Sequence, residues 1–539
     1  MRKKVKLIVL VALCVVTLFS CSKKDSLSMA IPKDVAMVMK VDLKNLARKA
    51  NYKLMDNSLI KGSVELMKST VNDDKKKMID DFLKNPNSLG VNIIDDMYFF
   101  ITADGTMGGV LSVSDSKKLY DNLLKIDPNF KEMIKIDKGI YSLKTNEAYG
   151  IAWDKARLVV RIYSRFADNT QTNGRTPIES LLQLKKGDSF YGTDNYKKLA
   201  EVKNDISLFY SAKEYAKWYQ SLSASNFVYT RDMDDAKREQ MDKSILSLME
   251  GIAYNMIGGC NFENGKIMCN SKIFFDTPEA EAKYNSLKTL NAKIDGELNK
   301  YVPSNSILYF AAHLSGKDIL ADINTLKADG ILDYINEDSK FNVRDILLAL
   351  NGDIIVSLNK VNLSNQQKSA YASLFAKVDT VKIKSVMDSI LTKNKESGVV
   401  LVKANNYVTS SGLMFGVQNG IFYITSDSTD YVNFGKGGIP NRQLDKIKGQ
   451  TFYFGGDMRV LKEELMPVVK SEGLGLGTYS GLIDEFLGLA TTFETHQKDK
   501  YNTTFEVVFA DSKTNSLEQI FKLIDKAVNS LGQLFLGSM

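Results

Sequence analysis

The chain repeats itself, and a duplicated pattern constrains the fold more than any single motif, because each copy must bury the same apolar faces with the same order of elements. "IPKDVAMVMKVDLKNL" from Ile31 resembles "VPSNSILYFAAHLSGKDIL" from Val302: a proline, a polar pair, a strand-like apolar run, then a leucine and the start of a helix. Each copy continues with a strand, a polar break and a helix, "GGVLSVSDSKKLYDNLLKI" in the first and "LFAKVDTVKIKSVMDSILTK" in the second. Hairpins follow, "EAYGIAWDKARLVVRIYS" against "GLMFGVQNGIFYITSDS", with Gly150 and Gly416 in matching places. Next, Leu199 and Lys203 match Leu444 and Lys448, and both copies close with a long hairpin and a helix.

Short strands rich in aromatic and β-branched residues, separated by Asp-Gly, Asn-Gly and Asp-Lys turns, predict mostly antiparallel sheets. Helices between them make each copy α+β. The first closing helix has Thr277 as N-cap and Pro278 at its first position, with Ala280, Tyr284, Leu287 and Ile294 along one face. The second aligns Leu517, Ile520, Ile524, Val528 and Leu531. The expected boundary between copies lies near Asn299 to Val302, giving repeats over 31–300 and 301–539 that pack together.

In "IGGCNFENGKIMCNSKIFF", Asn264-Gly265 is a strong hairpin signal. A two-residue turn sets Glu263 opposite Lys266, Phe262 opposite Ile267, Asn261 opposite Met268, and Cys260 opposite Cys269. Alternation makes the cysteine pair a non-hydrogen-bonded one, where side chains approach most closely. A cross-strand disulfide is the expectation in an oxidising compartment; two buried thiols are the alternative.

Such a compartment is what the N-terminus specifies. In "MRKKVKLIVLVALCVVTLFSC", Arg2, Lys3, Lys4 and Lys6 precede an apolar run from Leu7 to Phe19, a secretory signal pattern over residues 1–20. Its end, Leu18-Phe19-Ser20-Cys21, resembles the bacterial lipobox. That resemblance implies a diacylglycerol on the Cys21 sulfur, cleavage before it, and acylation of the new N-terminus with a fatty acid such as palmitate. Acyl chains at about 0.8 kcal/mol per buried CH₂ hold such a protein on a bilayer, with residues 21–30 as a tether. Ser22 stands where Asp would resemble an inner-membrane retention signal, so an outer-membrane lipoprotein of the cell envelope is expected, on its periplasmic or its surface face. Asp25-Ser26-Leu27 resembles an envelope O-glycosylation triplet, which makes Ser26 a candidate acceptor.

Without the signal, 67 basic residues face 64 acidic ones, a net charge of +3. That balance argues against a nucleic-acid partner. With His313 and His496 the only histidines, a multi-histidine metal site is not expected, and each reads as structural or solvent-facing. Trp153 and Trp218 read as core. No phosphate loop, H-E-x-x-H, G-x-S-x-G or C-x-x-C occurs, so neither cofactor nor metal is expected. "SDSK" has the S-x-x-K spacing at Ser114 to Lys117, but its partner motifs are missing and a helix cap at Ser114 or Asp115 explains it. The doublets Asp73-Asp74, Asp80-Asp81, Asp95-Asp96 and Asp234-Asp235 fit helix starts and solvated faces.

This order of segments, with the lipobox, "IPKDVAMVMKVDL" and the repeat from "VPSNSILYFAAHL", resembles the Bacteroidota envelope lipoproteins grouped as domain-of-unknown-function family 4836. The resemblance covers nearly the whole mature chain. It implies an envelope lipoprotein with a duplicated α+β body and supplies no activity or catalytic residue.

Two polar, glycine-containing stretches at corresponding places, "ADNTQTNGRTP" from Ala167 and "SDSTDYVNFGKGGIP" from Ser426, read as loops forming a recognition rim, with Asn173, Arg175, Tyr431 and Lys436 as candidate contacts. The expected function is a tethered, non-enzymatic binding or scaffolding module engaging an envelope protein, glycan or lipid. The alternatives are a carboxylate-dependent glycan hydrolase and a carrier of an apolar ligand.

Overall fold

The structure, a computed structural model, describes residues 27–537 except 52–57, 94, 147–148, 163–176, 224–234, 304–305, 339–341, 365–366, 394–399, 404, 439–443, 471–478 and 498. The chain is a mixture of helix and antiparallel sheet, and it divides into two compact units. One contains residues up to Lys40 together with Asn72–Ala200; the other contains Val41–Val71 and everything from Glu201 onward.

In the first unit, β1 (Val35–Val41, its last residue beyond the unit), β2 (Val91–Asn92), β3 (Met97–Thr102), β4 (Met107–Val113), β5 (Ile134–Asp137), β6 (Ile140–Asn146), β7 (Tyr149–Trp153) and β8 (Arg157–Ile162) form one sheet. Its order is β1–β3–β4–β8–β7–β6–β5, with the short β2 also beside β4. Period-two alternation shows plainly in β3, where Tyr98 and Phe100 point into the core and Phe99 outward. Asp115 starts the helix Ser116–Ile126 by accepting the Lys118 N–H at 2.9 Å, which accounts for the S-x-x-K spacing. That helix lays Leu119 and Leu123 on Leu143 and Trp153, and Trp153, wholly buried, stacks on Tyr141 with centroids 5.0 Å apart.

The second unit contains β9 (Ile206–Ser211), β10 (Asn255–Glu263), β11 (Lys266–Phe274), β12 (Leu308–Ser315), β13 (Leu350–Ser364), β14 (Gln367–Val378), β15 (Val400–Lys403), β16 (Asn406–Val408), β17 (Met414–Gln418), β18 (Ile421–Thr425), β19 (Phe452–Asp457), β20 (Ala490–Gln497) and β21 (Asn502–Phe509). They pair antiparallel in the order β9–β10–β11–β21–β20–β19–β12–β13–β14–β18–β17–β16–β15. The sheet therefore passes straight through the sequence boundary expected near residue 300. The boundary residues are core as well: Leu298, Tyr301 and Val302 pack with Tyr309, Ile355, Phe375, Tyr423 and Tyr453.

Local chemistry fixes the ends of these elements. Cys260 and Cys269 face each other across β10 and β11 and are joined by a disulfide, with Cα atoms 4.0 Å apart. At the tip Gly265 takes a φ of 67°, and a Cβ there would meet Ser512 at 2.4 Å, so glycine is required twice over. The helix Pro278–Ser286 starts at Thr277, whose hydroxyl accepts the Ala280 N–H, but it stops at Ser286. Leu287 and Ile294 are buried from beyond its end instead of along its face. On the final helix, Ser516–Gly537, Leu517 is buried while Ile524 stands 48% exposed, so the apolar stripe is wider than the surface it covers. Asp205, 1% exposed, accepts from Lys49 Nζ at 2.6 Å and the Phe262 N–H at 2.7 Å, tying the helix Leu43–Ala50 to β10.

Candidate functional site

In the second unit a cleft of about 480 Å³ lies between the helix Val343–Ala349 and the helix Thr380–Lys393. The short helix begins at Asn342, whose side chain accepts the Arg344 N–H at 2.9 Å and itself lines the cleft. This sets Asp345 in the first turn and on the cleft wall. Arg344 turns elsewhere, to Asp329 at 3.1 Å and Asp333 at 3.3 Å. The longer helix starts after Asp379, which accepts the N–H groups of Val381 and Lys382. Its Ile383 and Met387 pack on Ala376, Val378 and Val417 of the sheet. Lys382, Ser385, Val386 and Ser389, spaced by three and four residues, therefore share another face and line the cleft opposite Asp345. Leu348 and Val386 give it apolar wall. Lys382 Nζ stands 4.0 Å from Asp379, while Asp345 makes no side-chain hydrogen bond or ion pair among the described residues.

Two other acids, unlike the exposed Asp345, are withdrawn from solvent. Asp353 on β13 is fully buried; it bonds His313 Nδ1 of β12 at 2.9 Å and accepts the N–H groups of Asp295 and Gly296 at 2.9 and 3.0 Å. Burial, then the neighbouring Asp295, push its carboxyl above the usual range. Although burial opposes it, hydrogen bonds from Lys377 and the Glu297 N–H hold Asp295 below that range. Asp430 is also fully buried. One of its oxygens accepts from Ser373 and Asn359, both at 2.5 Å, and the other has no hydrogen-bond partner among the described residues. Burial, with Asp427 adding to it, pushes this carboxyl up to about 6.

Of the residues singled out from sequence, Cys21, Ser26, Asn173 and Arg175 lie outside the described residues. The stretch from Ser426 is not the expected loop: Ser428–Gly435 is a helix, started by Asp427 accepting the Thr429 N–H at 2.8 Å. Polar composition hid its anchors. Phe434 is buried in the core, and Tyr431 packs against the same cluster with its ring 5.9 Å from Tyr423. Lys436 is exposed just past the helix. Nothing in the sequence marks the cleft residues, because a short polar helix start and a helix with one mixed face have no distinguishing spacing.

No helix among the described residues is long and apolar enough to cross a membrane. No curated protein and no solved structure matches the chain. The family described as Domain of unknown function (DUF4836) matches residues 28–517, from just before β1 into the final helix. The chain belongs to that family.

Proposed function

We propose that this chain is a membrane-tethered envelope lipoprotein, built by duplication, that serves as a non-enzymatic binding or scaffolding module. The observation that carries the binding reading is the cleft itself, where Asp345 and Lys382 are held on opposing helices without pairing to each other. Hydrolysis of a glycan requires two carboxyl groups about 5–5.5 or 6.5–9.5 Å apart across the scissile bond. Asp345 is the one carboxylate among the residues lining the cleft, and the fully buried Asp353 spends its oxygens on His313 and on the Asp295 and Gly296 N–H groups. Carriage of an apolar ligand suits a greasy cavity, which an amide and a carboxylate on one wall and an ammonium and two hydroxyls on the other do not provide.

Matching strand orders support the duplication. The run β3–β4–β8–β7–β6–β5 has its counterpart in β13–β14–β18–β17–β16–β15, and β9–β10–β11 has one in β19–β20–β21. Lys40 pairs with Asp96 at 2.8 Å, as His313 pairs with Asp353 at 2.9 Å. Both basic residues stand two positions before a helix N-cap, Asp42 or Ser315.

The tether rests on the sequence around Cys21. In the native host, the chain should fractionate with membranes and carry the mass of its acyl groups, while Cys21→Ser should release it into the soluble envelope fraction. A Cys21→Ser chain that stays on the membrane would remove the tether. Brief crosslinking on native membranes should retrieve a partner in stoichiometric yield; a chain that comes away alone would count against scaffolding.

A further inference from the structure

We propose that the cleft between the helices Val343–Ala349 and Thr380–Lys393 binds a small zwitterion, an amino acid or short peptide whose free ammonium meets Asp345 and whose carboxylate meets Lys382. The inference deepens the binding reading and rests on it.

Both charges line the cleft, yet no ion pair joins them. Among the described residues Lys382 pairs only with Asp379, at the 4.0 Å edge of ion-pair distance, and Asp345 pairs with none. The neighbouring guanidinium that could neutralise Asp345, that of Arg344, is engaged by Asp329 and Asp333. Asp345 is exposed and Lys382 half-buried, so a ligand seated between them strips water from both charges. A singly charged ligand compensates one and leaves the other desolvated, whereas a ligand carrying both signs compensates both. Ser385 and Ser389, one turn apart on the face that holds Lys382, add hydroxyls that can donate to the carboxylate or accept from a peptide N–H. Leu348 and Val386 suit small apolar side chains. At about 480 Å³ the space lies in the lower part of the range of small-molecule pockets, fitting a dipeptide-sized ligand.

The probe is the dipeptide Ala-Ala, titrated calorimetrically into the full mature chain in mild detergent. Two blocked analogues accompany it: N-acetyl-Ala-Ala, which lacks the ammonium, and Ala-Ala amide, which lacks the carboxylate. Ala-Ala should bind saturably and at least tenfold more tightly than either analogue. In Asp345→Asn the preference over N-acetyl-Ala-Ala should collapse while that over the amide persists; Lys382→Gln should do the reverse. Unchanged thermal midpoints establish that both variants are folded. No saturable binding of Ala-Ala, equal binding of a blocked analogue, or two variants that discriminate like the parent would each overturn the proposal. A protein partner retrieved by crosslinking from a chain that ignores Ala-Ala would leave the binding-module reading standing without this ligand.

Discussion

Asp430 combines two conditions that are costly for an ionised carboxylate: no exposure to solvent, and one oxygen without a hydrogen bond among the described residues. Its carboxyl is pushed up to about 6 from an ordinary 3.8. A carboxyl raised on folding stabilises the native state fully below the unfolded value and loses that contribution as pH climbs through the folded value. About two units correspond to roughly 3 kcal/mol. Between pH 4 and 7 the parent chain should therefore lose about that much relative to Asp430→Asn, which cannot ionise. Urea midpoints at four or five pH values test this, and a parent-to-variant difference that stays flat across the window would show that Asp430 is not the titrating group. Nothing local in "SDSTDYVNFGKGG" marks this aspartate, since its burial comes from Ser373 and Asn359 on strands far away in sequence. The Asp115 cap is legible because its determinants sit within three residues of it.

The same division holds for elements. The β10–β11 hairpin follows from Asn264-Gly265 and a parity argument, and the structure has that register residue for residue. The helix Ser428–Gly435 was hidden, because eight residues with only Tyr431, Val432 and Phe434 as apolar members read as a loop until a core is present to receive them. For the hairpin the disulfide makes a direct prediction. Intact-mass measurement of the denatured chain, alkylated without reductant, should show no added groups at Cys260 or Cys269, and two after reduction. Closing a loop over a sequence separation of 9 is worth at most about 2–3 kcal/mol, less here because the hairpin already restricts the ends. Reduction should thus lower the denaturation midpoint modestly and leave the fold intact. Two thiols alkylated before reduction would contradict the bonded state.

For the whole molecule, the proposed repeat reads in the sequence as an order of prolines, strands and helices, but the way its copies would join does not. Residues 201–300 read in sequence as the end of the proposed first copy, yet they belong to the second compact unit, where β11 pairs with β21 over seven residue pairs from Lys266↔Val508 to Lys272↔Asn502. Pairing across more than two hundred residues leaves no local signal, and only a sheet edge in search of a partner explains it. Leu298, Tyr301 and Val302 reinforce the join, each contributing about 1.5–3 kcal/mol on burial. A cut at residue 300 would bare the edges of β11 and β21 and open that core. The second unit should consequently unfold as one, despite the proposed repeat boundary inside it. In native-state hydrogen exchange at rising denaturant, the slowest amides of β10 and of β20 should converge on a common opening free energy. If β10 opened several kcal/mol more easily than β20, the copies would be separately cooperative and the β11–β21 ladder a weak seam, and the repeat boundary, not the sheet, would then set the folding unit.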